Sequence, residues 1–218
     1  MGKTLQLAKQ EGLVKTRKIT NVLKKEAAKN QQIFSHFMIL DFEATCWQKK
    51  PGPPSEIIEF PAVILDGKSN QILPFNFHHY VQPTEEPILS EFCKELTGID
   101  QSQVEGSAPL GTILLQFNSW LQQNFGDFVF NSISDKNCAV VTWTDWDLKV
   151  CLEYECKRKN LRVPVCLQSW IDLKYVYKKF YNRQPQGLSG ALTEMGLKFE
   201  GREHSGKQTA VNFVIKKR

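Results

Sequence analysis

At 218 residues the chain has room for one domain with a full core. Apolar residues make up 41% and charged residues 23%, a folded, globular balance that excludes a disordered chain, a collagen or a coiled coil. The net charge of +5 is unevenly placed: residues 1–30 carry eight Lys/Arg against two acids, residues 207–218 carry four against none, and residues 31–206 carry 16 against 21. Basic ends on an acidic body suit a polyanionic partner, and a solvated tail equally well.

The longest apolar runs, Phe37–Leu40 and Phe60–Leu65, are far short of the roughly 20 residues of a membrane helix, so no membrane partner is expected. The first residues lack the apolar core of a secretory signal, and Gln6 stands where a myristoylation signal needs Ser or Thr. Six cysteines without a Cys-x-x-Cys read as reduced thiols rather than a zinc site. The expected location is cytoplasmic or nuclear, not secreted.

Residues 1–32 read as a basic tail. A strand pattern follows at His36–Leu40, then a Pro/Gly-rich loop at Lys49–Ser55. Ile57–Leu65 reads as a buried strand, Asp66-Gly67 as a hairpin turn, and the alternation from Phe75 to Val81 as an antiparallel third strand. Leu110, Ile113, Leu114, Phe117, Trp120 and Leu121 form one helical face. Asn124–Lys136 reads as a loop and Cys138–Trp143 as a central strand. Helices are expected from Asp147 to about Lys159, around Trp170–Phe180, and at Leu188–Met195. Strands in a hairpin followed by α/β alternation predict a mixed sheet with helices packed on it.

Asp41 and Glu43 close the first strand, about 7 Å apart and on one side. Such carboxylates repel unless a cation lies between them, and hard oxygen ligands favour Mg²⁺ or Mn²⁺. The alternative is two solvated acids. Asp147 follows the central strand and is the third candidate, with Asp145 its rival. Thr144 and Asp147 also resemble a capping box. His204, in a polar Gly-rich loop, is either simply exposed or able to take a proton from water. His78 and His79 read as structural. Phe42, Trp47 and Trp146 neighbour the acids, where an exposed ring can stack on a base; Phe42 is expected in the core.

Ile39–Cys46 (ILDFEATC), Glu56–Val63 (EIIEFPAV), Leu96–Ile99 (LTGI), Trp146-Asp147 and Gly201–His204 (GREH) occur in order. This set resembles the DEDDh family of 3′-to-5′ exonucleases, RNase H-like in fold, and within it the Eri-type exoribonucleases. The resemblance covers roughly residues 33–206. It implies an α/β fold, a mixed five-stranded sheet flanked by helices, and a two-metal hydrolysis of RNA or single-stranded DNA from the 3′ end. It implies Asp41, Glu43 and Asp147 as ligands of two Mg²⁺ or Mn²⁺ ions and His204 as general base. Glu43, Ala44, Leu96, Thr97, Trp146 and His204 would contact the terminal nucleotide. Protein partners are not indicated.

The chain departs from that pattern near its end. The family places a fourth acid, an Asp, five residues after the histidine, where this chain has Thr209, and no Asp or Glu follows Glu203. Residues 207–218 read as a divergent basic end, such as a splice form. The expectation is impaired catalysis, or an inactive nucleic-acid-binding module on the same fold.

Overall fold

The computed structural model describes residues 33–49, 51–132, 136–202 and 204–212. The expected basic tail at 1–32 and the residues after 212 lie outside them. Strands β1 (His36–Leu40), β2 (Glu43–Ala44), β3 (Ile57–Asp66) and β4 (Phe77–Tyr80) come first. Helices α1 (Glu91–Thr97), α2 (Gln101–Glu105) and α3 (Leu110–Phe125) follow, then β5 (Val129–Phe130) and β6 (Asn137–Thr142). A π-helical segment, Trp146–Leu152, runs into α4 (Glu153–Arg158). After a 3₁₀ turn at Val165–Gln168 come β7 (Ile171–Asp172), α5 (Leu173–Tyr181), α6 (Gly187–Glu194) and α7 (Gly206–Asn212).

The sheet has seven strands, against the five implied by the resemblance, but they fill five positions across it. β1 pairs with Ala62–Asp66 of β3 and β2 with Ile57 and Glu59, while β4 pairs with Glu59–Ala62. Because β4 overlaps both, it takes the other edge of β3, and β1 and β2 share one edge. In the same way β5 and β7 pair with opposite ends of β6, across from β1. β1 is antiparallel to β3 and parallel to β6, so the sheet is mixed.

Alternation along the strands makes two apolar faces. Met38, Leu40, Phe60, Ala62, Ile64 and Val140 pack with α3 through Ile113, Leu114 and Phe117. Ile39, Val63, Ala139 and Val141 pack on the opposite face with Val176 of α5 and Ala210 of α7. Phe60 anchors the first layer, with ring centroids 4.6 Å from Phe42 and 5.0 Å from Phe117. The expected helical face at 110–121 is thus the one that covers the sheet.

Several elements differ from the sequence reading. The expected loop at 124–136 contains β5, held to β6 by backbone bonds that two residues cannot signal in a sequence. The helix expected from Trp170 starts at Leu173. Trp170 is buried, its Nε1 donates to Asp145 Oδ1 at 3.1 Å, and Ile171-Asp172 add to the sheet first. Asp66 does not sit in a two-residue turn. Its Oδ1 accepts from the Lys68 and Ser69 N–H groups, and its backbone N–H reaches Gln71. α1 and α2 were not expected, although Ser90 caps α1 and Gly98 ends it with φ +74°.

Beside the start of β3 lies a buried charge network. Glu56 is fully buried and accepts from the backbone N–H groups of Thr84, Glu85 and Glu86. Lys159 Nζ lies 2.6 Å from Glu56 and 2.7 Å from Glu155, whose other oxygen accepts from Ile57 N–H at 2.7 Å. Desolvation opposes the Glu56 charge, but Lys159 and the N–H donors win and lower its pKa. A depressed carboxyl stabilises the fold above its unfolded pKa and loses that contribution as pH falls through the folded one. Lys159→Met leaves two buried carboxylates without their cation. We expect a loss of about 3–5 kcal/mol at neutral pH, read by urea unfolding; an unchanged midpoint would contradict this.

Candidate active site

The ladder along β3 breaks between β1 and β2, at Asp41 and Phe42. That break lies at the carboxyl end of β1, next to the carboxyl end of the parallel strand β6, a place where open sheets present loops to ligands. Phe42 turns its ring into the core and its N–H, outside the ladder, donates to Asp147 Oδ1 at 2.9 Å. This bond carries Asp147 to Asp41 across 105 residues. Asp147 stands in the π-helical segment, a form of helix that frequently marks functional positions.

Asp145, the rival candidate, is held by Trp170 instead. Thr144 Oγ1 accepts from Trp146 N–H at 3.2 Å, a local turn rather than the capping box. The Asp147 carboxylate is directed to Phe42.

Asp41, Glu43, Ala44, Leu96, Thr97, Trp146, Asp147 and His204 all line one cleft of about 860 Å³. Glu43 and Asp147 are buried, and Asp41 is half-buried. Desolvation lifts the Asp41 carboxyl well above the usual range, and the fields of Asp147 and Glu43 lift it further. Burial, then Glu59 and Asp147, push Glu43 up to about 8. Burial pushes Asp147 up to about 7, against the Phe42 N–H that favours its charge. His204 is exposed on a loop, with φ +59°. Trp146 is 42% exposed, while Phe42 is buried as expected.

Glu59 belongs to this cluster and was not among the sequence candidates. It pairs opposite Glu43, beside a bulge that gives β3 one extra residue at Ile58. Its oxygens accept from Gly206 N–H at 2.9 Å and Lys207 N–H at 3.3 Å, and His78 Nε2 lies 2.8 Å away. Glu59 therefore receives the start of α7. A Cβ on Gly206 would run into the Asp41 carbonyl oxygen, so glycine is what lets α7 sit this close. One turn on, the buried Thr209 hydroxyl donates to the Asp41 carboxylate. Thr209 thus stands against the carboxylate cluster itself. An acid within the apolar Ile57–Phe60 run was the signal for Glu59, because a buried charge needs partners.

Among the described residues no three His, Cys, Asp or Glu side chains are already gathered into a shell that would hold an ion. The donor chemistry nonetheless fits a hard divalent cation: oxygen ligands only, with a mutual repulsion that such an ion relieves.

A raised folded pKa penalises the native state as pH climbs, because the unfolded carboxylates ionise first. The metal-free protein should therefore lose stability between about pH 4 and the values near 7 and 8 at Asp147 and Glu43. Asp147→Asn should flatten that slope in urea titrations across the range. A slope unchanged by the substitution would contradict the assignment.

Residues 38–208 match the model of the exonuclease family. The ERI1 exoribonuclease 2 of Xenopus laevis is 49% identical over 96% of this chain and 32% of its own length. The 3′-5′ exonuclease Snipper of Drosophila melanogaster is 42% identical over 83% of this chain and 67% of its own length. This chain spans about a third of the length of the first of these relatives. Among solved structures, the nuclease domain of 3′hExo, a DEDDh family member bound to rAMP, superposes with a TM-score of 0.76 at 29% identity, over 84% of this chain and 90% of that one. A 3′-exonuclease in a structure of histone mRNA stem-loop recognition gives 0.76 at 28% identity, over 84% and 80%.

Proposed function

The chain belongs to the exonuclease family, and from that premise we propose that it is a metal-dependent 3′-to-5′ exonuclease acting on 3′ ends of RNA or single-stranded DNA, with a weakened site. The observation that carries this reading is the meeting of Asp41, Glu43, Asp147 and His204 on one cleft. Asp41, Glu43 and Asp147 would hold the divalent ions, Mg²⁺ or Mn²⁺ and two by the family's pattern, which supply Lewis acidity for phosphodiester hydrolysis.

The chain's own groups do the rest. Ala44, Leu96 and Thr97 form the wall against which a terminal nucleotide would lie. The exposed Trp146 ring offers a surface on which a base stacks. His204 sits on the same cleft, where its imidazole accepts a proton from water. Glu43 reaches both the acid cluster and the nucleotide wall, so it serves binding and chemistry together. Six free cysteines suit a reducing compartment, the cytoplasm or the nucleus.

Thr209 is the reason to expect weak turnover. Its hydroxyl is neutral and is spent on Asp41. A carboxylate there would add a charged ligand; the hydroxyl adds none. The same observation favours a second reading, a nucleic-acid-binding module that holds a 3′ end without cutting it.

The test is release of nucleotides from 3′-end-labelled single-stranded RNA with Mg²⁺, using Asp41→Ala as the blank. Thr209→Asp should speed release on the order of 10²-fold. Equal rates in the two chains would contradict the weakened site. Retention of RNA with steep salt dependence and no release, even in Thr209→Asp, would select the binding module.

A further inference from the structure

All six cysteines are free, but their surroundings divide them. Cys138, Cys151, Cys156 and Cys166 are buried in the core between sheet and helices. Burial pushes these thiols up, Cys156 to about 11 and Cys166 to about 12. Cys93 is buried too, yet it is pulled the other way, to about 7. The Cys46 thiol and backbone N–H hydrogen-bond to it, and the neighbouring Thr97 hydroxyl, which donates to the Cys93 carbonyl at 2.8 Å, adds to the same shift, together outweighing desolvation.

The contact is set by the backbone on both sides. Ser90 Oγ donates to the Cys46 carbonyl at 2.7 Å and accepts from Cys93 N–H at 3.0 Å, so one hydroxyl ties both residues. Cys93 Sγ lies 3.7 Å from the Ala44 carbonyl oxygen. Cys46 is half-buried, lines the cleft and packs against the buried cluster that contains Cys93. The arrangement is a half-buried thiol at the cleft in contact with a buried thiol whose ionisation is eased.

We propose that Cys46 and Cys93 form a reversible disulfide, a redox modification site in the wall of the cleft. A hydroperoxide supplies the oxidising equivalents. In the ionised pair Cys46 passes its proton to the Cys93 sulfur and, as the thiolate, attacks the O–O bond of hydrogen peroxide. The hydroxide released takes that proton back, leaving a Cys46 sulfenic acid, one molecule of water and the Cys93 thiolate. The Cys93 thiolate then attacks the Cys46 sulfur. The S–S bond forms, the S–O bond breaks, and the departing hydroxide takes a proton to become a second water. Two thiols lose two electrons and the peroxide gains them; a dithiol reductant reverses the change. The bond draws the sulfurs from hydrogen-bond contact to about 2.05 Å. It would link the segment after Ala44 covalently to α1, which carries Leu96 and Thr97, and so join two parts of the same wall.

The test is made on the full chain and does not use nuclease activity, so it stands or fails apart from the exonuclease proposal. The protein is treated with hydrogen peroxide, alkylated, digested without reduction and mapped by mass spectrometry. The expected result is a Cys46–Cys93 linked peptide pair that dithiothreitol separates, with the other four thiols alkylated only after unfolding. The oxidised protein should melt several degrees higher, as a cross-link between such distant residues constrains the unfolded chain. In Cys93→Ser, Cys46 should proceed to sulfinic acid. Recovery of Cys46 and Cys93 both as free thiols, or of wild-type Cys46 as sulfinic acid beside a reduced Cys93, would overturn the proposal.

Discussion

Carboxylates crowded at the break between β1 and β2 repel one another, and the structure around them holds that repulsion in place. Asp147 is tethered by the Phe42 N–H, and Glu59 is caught by the first backbone N–H groups of α7. Glu43 has Glu59 directly opposite it in the ladder, an arrangement that disfavours charge on Glu43. Burial of Glu43 and Asp147 makes the cost greater, since charge is poorly screened away from water. A fold that only had to be stable would place apolar residues at such positions. Holding acids there is sensible where a cation is to be bound.

α7 is central to how the site is closed. It packs on β1 and β3, reaches Glu59 through Gly206 and Lys207, and places Thr209 on Asp41. Asn212 bonds back to Glu200, so the loop that carries His204 is fixed at its base by the same helix. Thr209 gives Asp41 a donor and adds no further negative charge to the crowded carboxylates.

Much of the fold was legible because burial leaves a periodic trace. β1, β3, β6 and α3 are long or apolar enough to show it, and Asp41, Glu43 and Asp147 were visible because they sit where those elements stop. The two-residue strands β2, β5 and β7 are stabilised by neighbours rather than by their own pattern. Asp147 could be preferred to Asp145 by position, but the bond to Phe42 that directs it spans 105 residues. Glu59, Glu56 and Glu155 were overlooked for one reason: their partners come from distant segments. Yet an acid embedded in an apolar run is itself a signal that some partner must exist.

The central claim is that Asp41, Glu43 and Asp147 act together on a divalent ion. Electron paramagnetic resonance of free Mn²⁺, titrated with the protein at pH 8, measures this directly. The account predicts loss of the free-ion signal with the native chain and its persistence with Asp41→Ala, Glu43→Ala or Asp147→Ala. Equal Mn²⁺ uptake by the native chain and by the variant lacking all three carboxylates would contradict it.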